Sequence, residues 1–146
     1  MREIIFRGKE KDTPYGPLWR YGDLTHNFNA VLVAGHVVDD ETVGQYTGRC
    51  AGESKKIFEG DVLEYTVFDY QGQDLQYRGV VEWSGSRFIV SVHSVFACNS
   101  WRPRRDYEEE YYDLDWMLDQ DDEVKIIANV YDNPGLLKEG DGYNDK

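Results

Sequence analysis

The sequence predicts a mainly β protein, a small barrel with little helix. Stretches of strand length rich in Val, Ile and aromatic residues recur along the chain, and such residues fit a pleated, half-buried surface. Gly, Asn, Asp and Pro punctuate them at short intervals, as turns between strands require. Only one stretch carries helical spacing. Closing the strands on themselves would hide the sheet edges that otherwise recruit foreign strands.

The elements read as follows in chain order. Arg2 to Gly8 is a strand with Ile4 and Phe6 on one face and Ile5 on the other. Lys9 to Pro17 holds Asp12, Pro14, Gly16 and Pro17 and is a loop. Leu18 to Leu24 is a short extended segment around Trp19 and Tyr21. Ala30 to Val38 is rich in Val and reads as one buried strand. Asp39-Asp40-Glu41 turns the chain, Thr42 to Thr47 is a strand, and Gly48 to Lys56 is a turn.

The middle of the chain has the clearest pattern. Gly60-Asp61 is a tight turn feeding a strand over Leu63 to Phe68, because Gly accepts positive φ and an Asp carboxylate accepts nearby backbone N–H groups. Tyr77 to Trp83 and Arg87 to Phe96 flank Ser84-Gly85-Ser86 and form a hairpin. Glu123 to Tyr131 is the last strand, and Asn133-Pro134 opens one helical turn near 133–138. Tyr46, Phe58, Tyr65, Trp83, Phe88 and Tyr131 are the core candidates, each able to contribute about 1.5–3 kcal/mol on burial.

Asp106 to Gln120 is the ambiguous stretch. Tyr107, Tyr111, Leu114 and Leu118 fall on one helical face, so a short helix near 107–120 is the leading reading. Carboxylates crowd the rest of that stretch without a base among them, and like charges at i,i+4 oppose a helix. An irregular excursion is the alternative. No internal repeat or Ser/Gly linker divides the chain, so residues 1–138 are expected as one domain with an elaborated 101–122 segment. Residues 139–146 form a polar tail expected to fray.

The formal charge of −12 comes from 16 Lys+Arg against 28 Asp+Glu. It is concentrated at the end: residues 1–105 hold 13 bases and 14 acids, residues 106–146 hold 3 and 14. Such a balance opposes general attraction to nucleic acid, whose affinity comes from neutralised phosphates. No apolar run nears the roughly 18 residues of a membrane span, and the N-terminal apolar stretch Ile4-Ile5-Phe6 is too short for a secretory leader. Two cysteines, Cys50 and Cys98, cannot form a disulfide framework, which favours free thiols in a reducing cytoplasm. Whether the two lie close in space is not fixed by spacing.

The search for chemistry returns little. Gly44 to Gly48 lacks the Lys-Ser/Thr of a phosphate loop. His26, His36 and His93 lie far apart with no zinc-type spacing, although His36, Asp39 and Asp40 leave a site assembled in space open. Ser91 and Ser94 flank His93, but neighbours on a strand point to opposite faces. No catalytic residue, cofactor or metal ligand is therefore assigned. One cluster stands out: Trp101, Arg102, Arg104 and Arg105 join an aromatic ring to three guanidinium groups, a pairing suited to nucleic acid or to a protein partner. The alternative is that these arginines neutralise Asp106 and Glu108 to Glu110 and fix that acidic segment in place.

Several blocks together resemble a known family. Met1 to Lys9 (MREIIFRGK), Tyr21 to Leu24 (YGDL), Thr42 to Gly48 (TVGQYTG), Lys56 to Val62 (KIFEGDV), Gly79 to Trp83 (GVVEW) and Asn129 to Pro134 (NVYDNP) occur in the order seen in the YopX-like proteins. The resemblance runs to about Leu137. It implies a mainly β fold related to SH3-type barrels, a phage or prophage origin, and residence in the bacterial cytoplasm. It supplies no reaction and no catalytic residues. The chain departs from the pattern at Arg49 to Ser54, where a turn richer in Lys, Asn and Gly is usual, and in the 101–122 elaboration, where function particular to this member is expected to sit.

The expected function is a non-enzymatic phage or prophage accessory protein, a protein–protein interaction module whose partner is an unidentified host or phage protein or a second copy of itself. The alternatives are a nucleic-acid-binding small barrel using Trp101 and the adjacent arginines and, behind both, an enzyme using a carboxylate-bound divalent metal.

Overall fold

The computed structural model describes residues 3–52, 54–68, 74–97, 103–104, 111–120 and 123–137. Among the described residues it is mainly β, with one short α-helix. The residues cluster into two compact units, Met1–Arg49 with Lys56–Phe58, and Cys50–Lys55 with Glu59–Lys146.

The first unit is built on strands β1 (Phe6–Glu10), β2 (Leu18–Gly22), β3 (Leu24–Asn27), β4 (Ala30–Val33), β5 (His36–Ala51) and β6 (Lys55–Phe58), in the antiparallel order β2-β1-β5-β4-β3 with β6 also on β5. The Arg7 guanidinium is buried between aromatic rings, 4.7 Å from the centre of Trp19 and 5.1 Å from that of Phe58. A cation over a ring face is held by the ring quadrupole, more strongly when water is excluded. Tyr21 and Tyr46 pack on Phe58 from 5.5 and 5.7 Å. Val33 and Val38 fill the space that Gly8 leaves, since a Cβ on Gly8 would meet Val38 Cγ2 at 2.7 Å.

Two expectations in this unit are corrected. Ala30 to Val38 is two strands, because the chain reverses at Ala34-Gly35, where both residues have positive φ, 52° and 81°. That geometry matches the twist of a two-residue hairpin, but Ala in its first position hides the signal from sequence. The Ala34 N–H donates to the Asp23 carbonyl at 2.9 Å and holds the turn. Asp39-Asp40-Glu41, expected to reverse the chain, lies instead inside the sixteen-residue β5. The turn tendency survives as a bulge: Lys9 faces Asp39 while Arg7 faces Gly44. Thr42 Oγ1 donates to the Asp39 carbonyl at 2.6 Å and accepts the Lys9 N–H at 2.9 Å, which closes the gap in the ladder. β5 also runs on through Gly48 to Ala51 and shortens the expected turn.

The second unit is built on β7 (Asp61–Phe68), β8 (Asp74–Trp83), β9 (Phe88–Ala97), β10 (Pro103–Arg104), β11 (Tyr111–Asp113), helix α1 (Leu114–Gln120) and β12 (Lys125–Asn129), closed by a 3-10 turn over Pro134–Leu137. The order is β10-β9-β8-β7-β12, with β11 also on β9. The Ser84-Gly85-Ser86 hairpin and the Gly60-Asp61 turn form as expected, with φ of 101° at Gly85 and 90° at Gly60. Gly60 ties two strands, donating its N–H to the Val81 carbonyl and accepting the Val130 N–H, both at 2.9 Å. The helical turn expected near 133–138 is the 3-10 turn, although the Asn133 side-chain oxygen lies 3.5 Å from the Asn129 N–H and points back from it.

The core face of this sheet carries Leu63, Tyr65, Tyr77, Val81, Val90 and Val95, all at most 3% exposed. A bulge between Arg78 and Gly79 on the β8–β9 ladder keeps Val95 on that face, because one extra residue reverses the alternation of a strand. The opposite face carries buried Val62 and a polar cluster in which Glu64 accepts from Arg78 Nε and Gln76 Nε2, each at 3.2 Å.

The core expectation holds for Tyr46, Phe58 and Tyr65 and fails for Trp83, which is 50% exposed. Trp83 is the last residue of β8, where the sheet ends, and packs edge-on to Phe88 at 4.9 Å with little to cover it. Phe88 and Tyr131 are half-buried. Of the helix expected over 107–120, the described residues form helix at Leu114–Gln120 and strand at Tyr111–Asp113, and residues 107–110 lie outside the described residues. Tyr111 belongs to a strand and is exposed, and the buried helical pair is Leu114 and Met117.

Candidate functional site

Of the residues singled out from sequence, Trp101, Arg102 and Arg105 lie outside the described residues, as does Cys98. Arg104 is placed by its backbone alone, opposite Val95 on β9. His36 and Asp39 turn to separate partners: His36 Nδ1 lies 3.5 Å from Glu10 Oε2, and Asp39 pairs with Lys11 at 3.0 Å. Among the described residues no group of three His, Cys, Asp or Glu is arranged to hold a metal ion. An open groove of about 670 Å³ runs beside Phe28, Val31, Val37 and Val38 in the first unit.

The site that the structure builds lies where β11 passes into α1. Tyr112 sits opposite Val90 and so faces the core side of the sheet. Asp113 follows, and its Oδ2 accepts the Trp116 backbone N–H at 3.0 Å, which caps the first turn of α1. Leu114 and Met117 then face inward while Trp116 faces out at 45% exposure.

Three tyrosine rings connect that indole to the interior. Tyr65 and Tyr77 stack at 5.4 Å with planes 13° apart. Tyr112 meets both edge-on, at 6.0 and 5.4 Å, and Trp116 stacks on Tyr112 at 5.5 Å and 8°. Edge-to-face and offset stacks are the geometries that the ring quadrupole favours. The Tyr112 hydroxyl donates to the Tyr77 hydroxyl at 3.3 Å. Burial, with Tyr112 and Tyr77 beside it, pushes the Tyr65 phenol well above the usual tyrosine range. It stays neutral at physiological pH and gives the cluster no base.

The arrangement is therefore a rigid aromatic platform. Trp116 stacks on Tyr112 and is 45% exposed, on a helix that also carries exposed Asp115 and Asp119. Trp83, with Phe88, adds a second exposed ring on the same sheet side as Tyr112 and Val90. The charge setting is lopsided. The first unit balances 7 Lys+Arg against 7 Asp+Glu, whereas the second sets 9 against 21. Sequence reading missed this platform, though the signal was present: Asp113 before Leu114, Met117 and Leu118 is an N-cap followed by i, i+3, i+4 apolar spacing.

Fold and site together define a mainly β protein that carries an aromatic surface on an acidic unit. Residues 21–138 match the family model described as YopX protein. The chain belongs to the YopX family. No curated protein matches it, and no solved structure does.

Proposed function

We propose that this chain is a phage- or prophage-encoded accessory protein of the bacterial cytoplasm, with a fold related to SH3-type barrels. It acts without catalysis, as a module that binds another protein, and residues 101–122 elaborate a single domain spanning 1–138. The observation that carries the reading is Trp116: a large ring held in one orientation by Tyr112 and left 45% open to solvent. Pre-ordered aromatic anchors dominate binding energy at protein interfaces because they bury much surface at small entropic cost. Among the described residues no helix is long and apolar enough to cross a membrane. The surplus of carboxylates in the same unit favours a basic partner.

The test is capture from host and phage-infected lysates with the wild-type chain and a Trp116→Ala variant. The expected result is a partner retained by the wild type, rich in Lys and Arg at its contact surface, and lost by the variant. A partner bound equally by both would overturn the role given to Trp116, and no partner from either lysate would overturn the module itself.

A further inference from the structure

Trp83 and Trp116 are tied together by a chain of contacts inside the second unit. Trp83 faces Phe88 across the β8–β9 ladder, and the two rings meet edge-on at 4.9 Å. Phe88 is two residues from Val90, which lies opposite Tyr112 on β11, so these side chains share one face of the sheet. The Ser84 N–H donates to the Arg87 carbonyl at 2.9 Å and closes the hairpin tip between Trp83 and Phe88. Arg87 Nε lies 3.5 Å from Asp113 Oδ1, and Asp113 Oδ2 accepts the Trp116 N–H at 3.0 Å. Two indoles, 50% and 45% exposed, thus stand on linked elements, each braced by a second ring.

Charge complementarity selects what these rings meet. Residues 106–123, with Trp116 near their middle, hold ten Asp and Glu and no Lys or Arg. Asp115 and Asp119 are exposed on α1 itself, and Arg87 is already paired with Asp113. Such a surface favours a cation that can also lie flat on a ring. A guanidinium stacks on an indole while its N–H groups reach carboxylates, whereas an ammonium is compact and more strongly hydrated. We propose that Trp83 and Trp116 form one surface and that its occupant is an arginine-rich segment of a protein partner. The inference rests on the protein-binding reading of Trp116 and adds to it a second anchor, Trp83, and a preference for Arg over Lys.

The experiment titrates labelled nona-arginine and nona-lysine peptides with the full chain, followed by fluorescence anisotropy in 0.15 M salt, where the Debye length is about 8 Å. Charge alone draws both peptides equally to a chain of −12, so the ratio of the two affinities isolates ring stacking. The wild type is expected to bind the arginine peptide about tenfold more tightly, as two exposed cation–ring contacts imply. Trp116→Ala and Trp83→Ala are each expected to lower that ratio about threefold. Circular dichroism checks that both variants keep the β signature, and the comparison of peptides on the wild type needs no variant. Equal affinity of the wild type for the two peptides overturns the proposal. So does a wild type that binds neither and doubles its mass in sedimentation, which would give the rings to a second copy. A ratio lowered by Trp116→Ala and untouched by Trp83→Ala overturns the shared surface and leaves the Trp116 reading standing. A ratio untouched by either variant overturns both.

Discussion

Asp113 joins two connections through one carboxylate: Oδ2 accepts the Trp116 backbone N–H at 3.0 Å, while Oδ1 lies 3.5 Å from Arg87 Nε. The first contact starts α1 and the second ties the β8–β9 hairpin loop to the end of β11. The orientation of the Trp116 indole thus depends on a residue that itself lies in a strand.

Asp113→Ala should cost about 1 kcal/mol of stability, the usual price of losing a helix cap. Asp113→Asn should cost much less, because an amide oxygen caps nearly as well and the Arg87 pair is half-exposed and weak. Urea unfolding of the three proteins measures the difference. Equal losses for Ala and Asn would place the energy in the ion pair and not in the cap.

The legible parts of the fold were those with local causes. Gly60-Asp61, the Ser84–Ser86 hairpin and the strand after it follow from turn chemistry and β-branched runs, and no distant contact overrides them. The misreadings share an opposite cause. Ala34 holds φ 52° with its N–H accepted by Asp23, in the link between β2 and β3, and the acidic Asp39–Glu41 stays in β5 because Thr42 and Lys9 close the bulge. Trp83 looks like a core residue until the sheet is seen to end there. The site was partly legible, through its cap and spacing, but the Tyr65–Tyr77–Tyr112–Trp116 stack joins residues up to 51 positions apart, which periodicity cannot reveal.

Two glycines of the second unit should respond differently to Ala. A Cβ at Gly79 would meet Val90 Cγ1 at 2.5 Å and the Ser91 carbonyl oxygen at 2.7 Å. A backbone atom on a central ladder cannot step aside, so Gly79→Ala should cost about 3 kcal/mol or more, at the upper end of overpacking. Gly85 has open space around it but φ of 101°, so Gly85→Ala should cost about 1–2 kcal/mol from backbone strain alone. Thermal unfolding that ranks Gly85→Ala as the worse of the two would contradict the packing.

The Lys11–Asp39 pair should act at both ends of the pH range. The Lys11 ammonium and then the Glu41 N–H hold the Asp39 carboxyl below its usual value, and the hydrogen bond to Asp39 holds Lys11 above its own. A depressed carboxyl gives stability that is present above its unfolded value, about 4, and is lost as pH falls through the folded one. A raised ammonium gives stability present below about 10.4 and lost as pH rises through its folded value. Lys11→Met should therefore flatten stability against pH on the acid and alkaline sides, with a small effect because Lys11 is exposed, and added salt should shrink it. An acid limb identical to the wild type would show that Asp39 draws its stabilisation from elsewhere.

Tyr65 offers the sharpest contrast between neighbours. Its ring is 1% exposed, and its hydroxyl finds no hydrogen-bond partner among the described residues. The Tyr77 hydroxyl accepts from Tyr112. Removing a buried polar group that has no partner relieves a desolvation cost, whereas removing a bonded one forfeits about 1 kcal/mol. Tyr65→Phe should thus leave stability unchanged or raise it by up to about 1 kcal/mol, and Tyr77→Phe should lower it by about that amount. The alkaline limb gives an independent readout. Because the folded Tyr65 phenol titrates above its ordinary value of about 10, the native state keeps a proton that the unfolded state releases, and stability falls as pH rises beyond 10. Tyr65→Phe should make that fall shallower, and tyrosinate absorbance in the wild type should show one phenol appearing only on unfolding. A Tyr65→Phe variant less stable than Tyr77→Phe, or a Tyr65 that ionises in the folded protein, would mean that the hydroxyl is satisfied and the stack open to water.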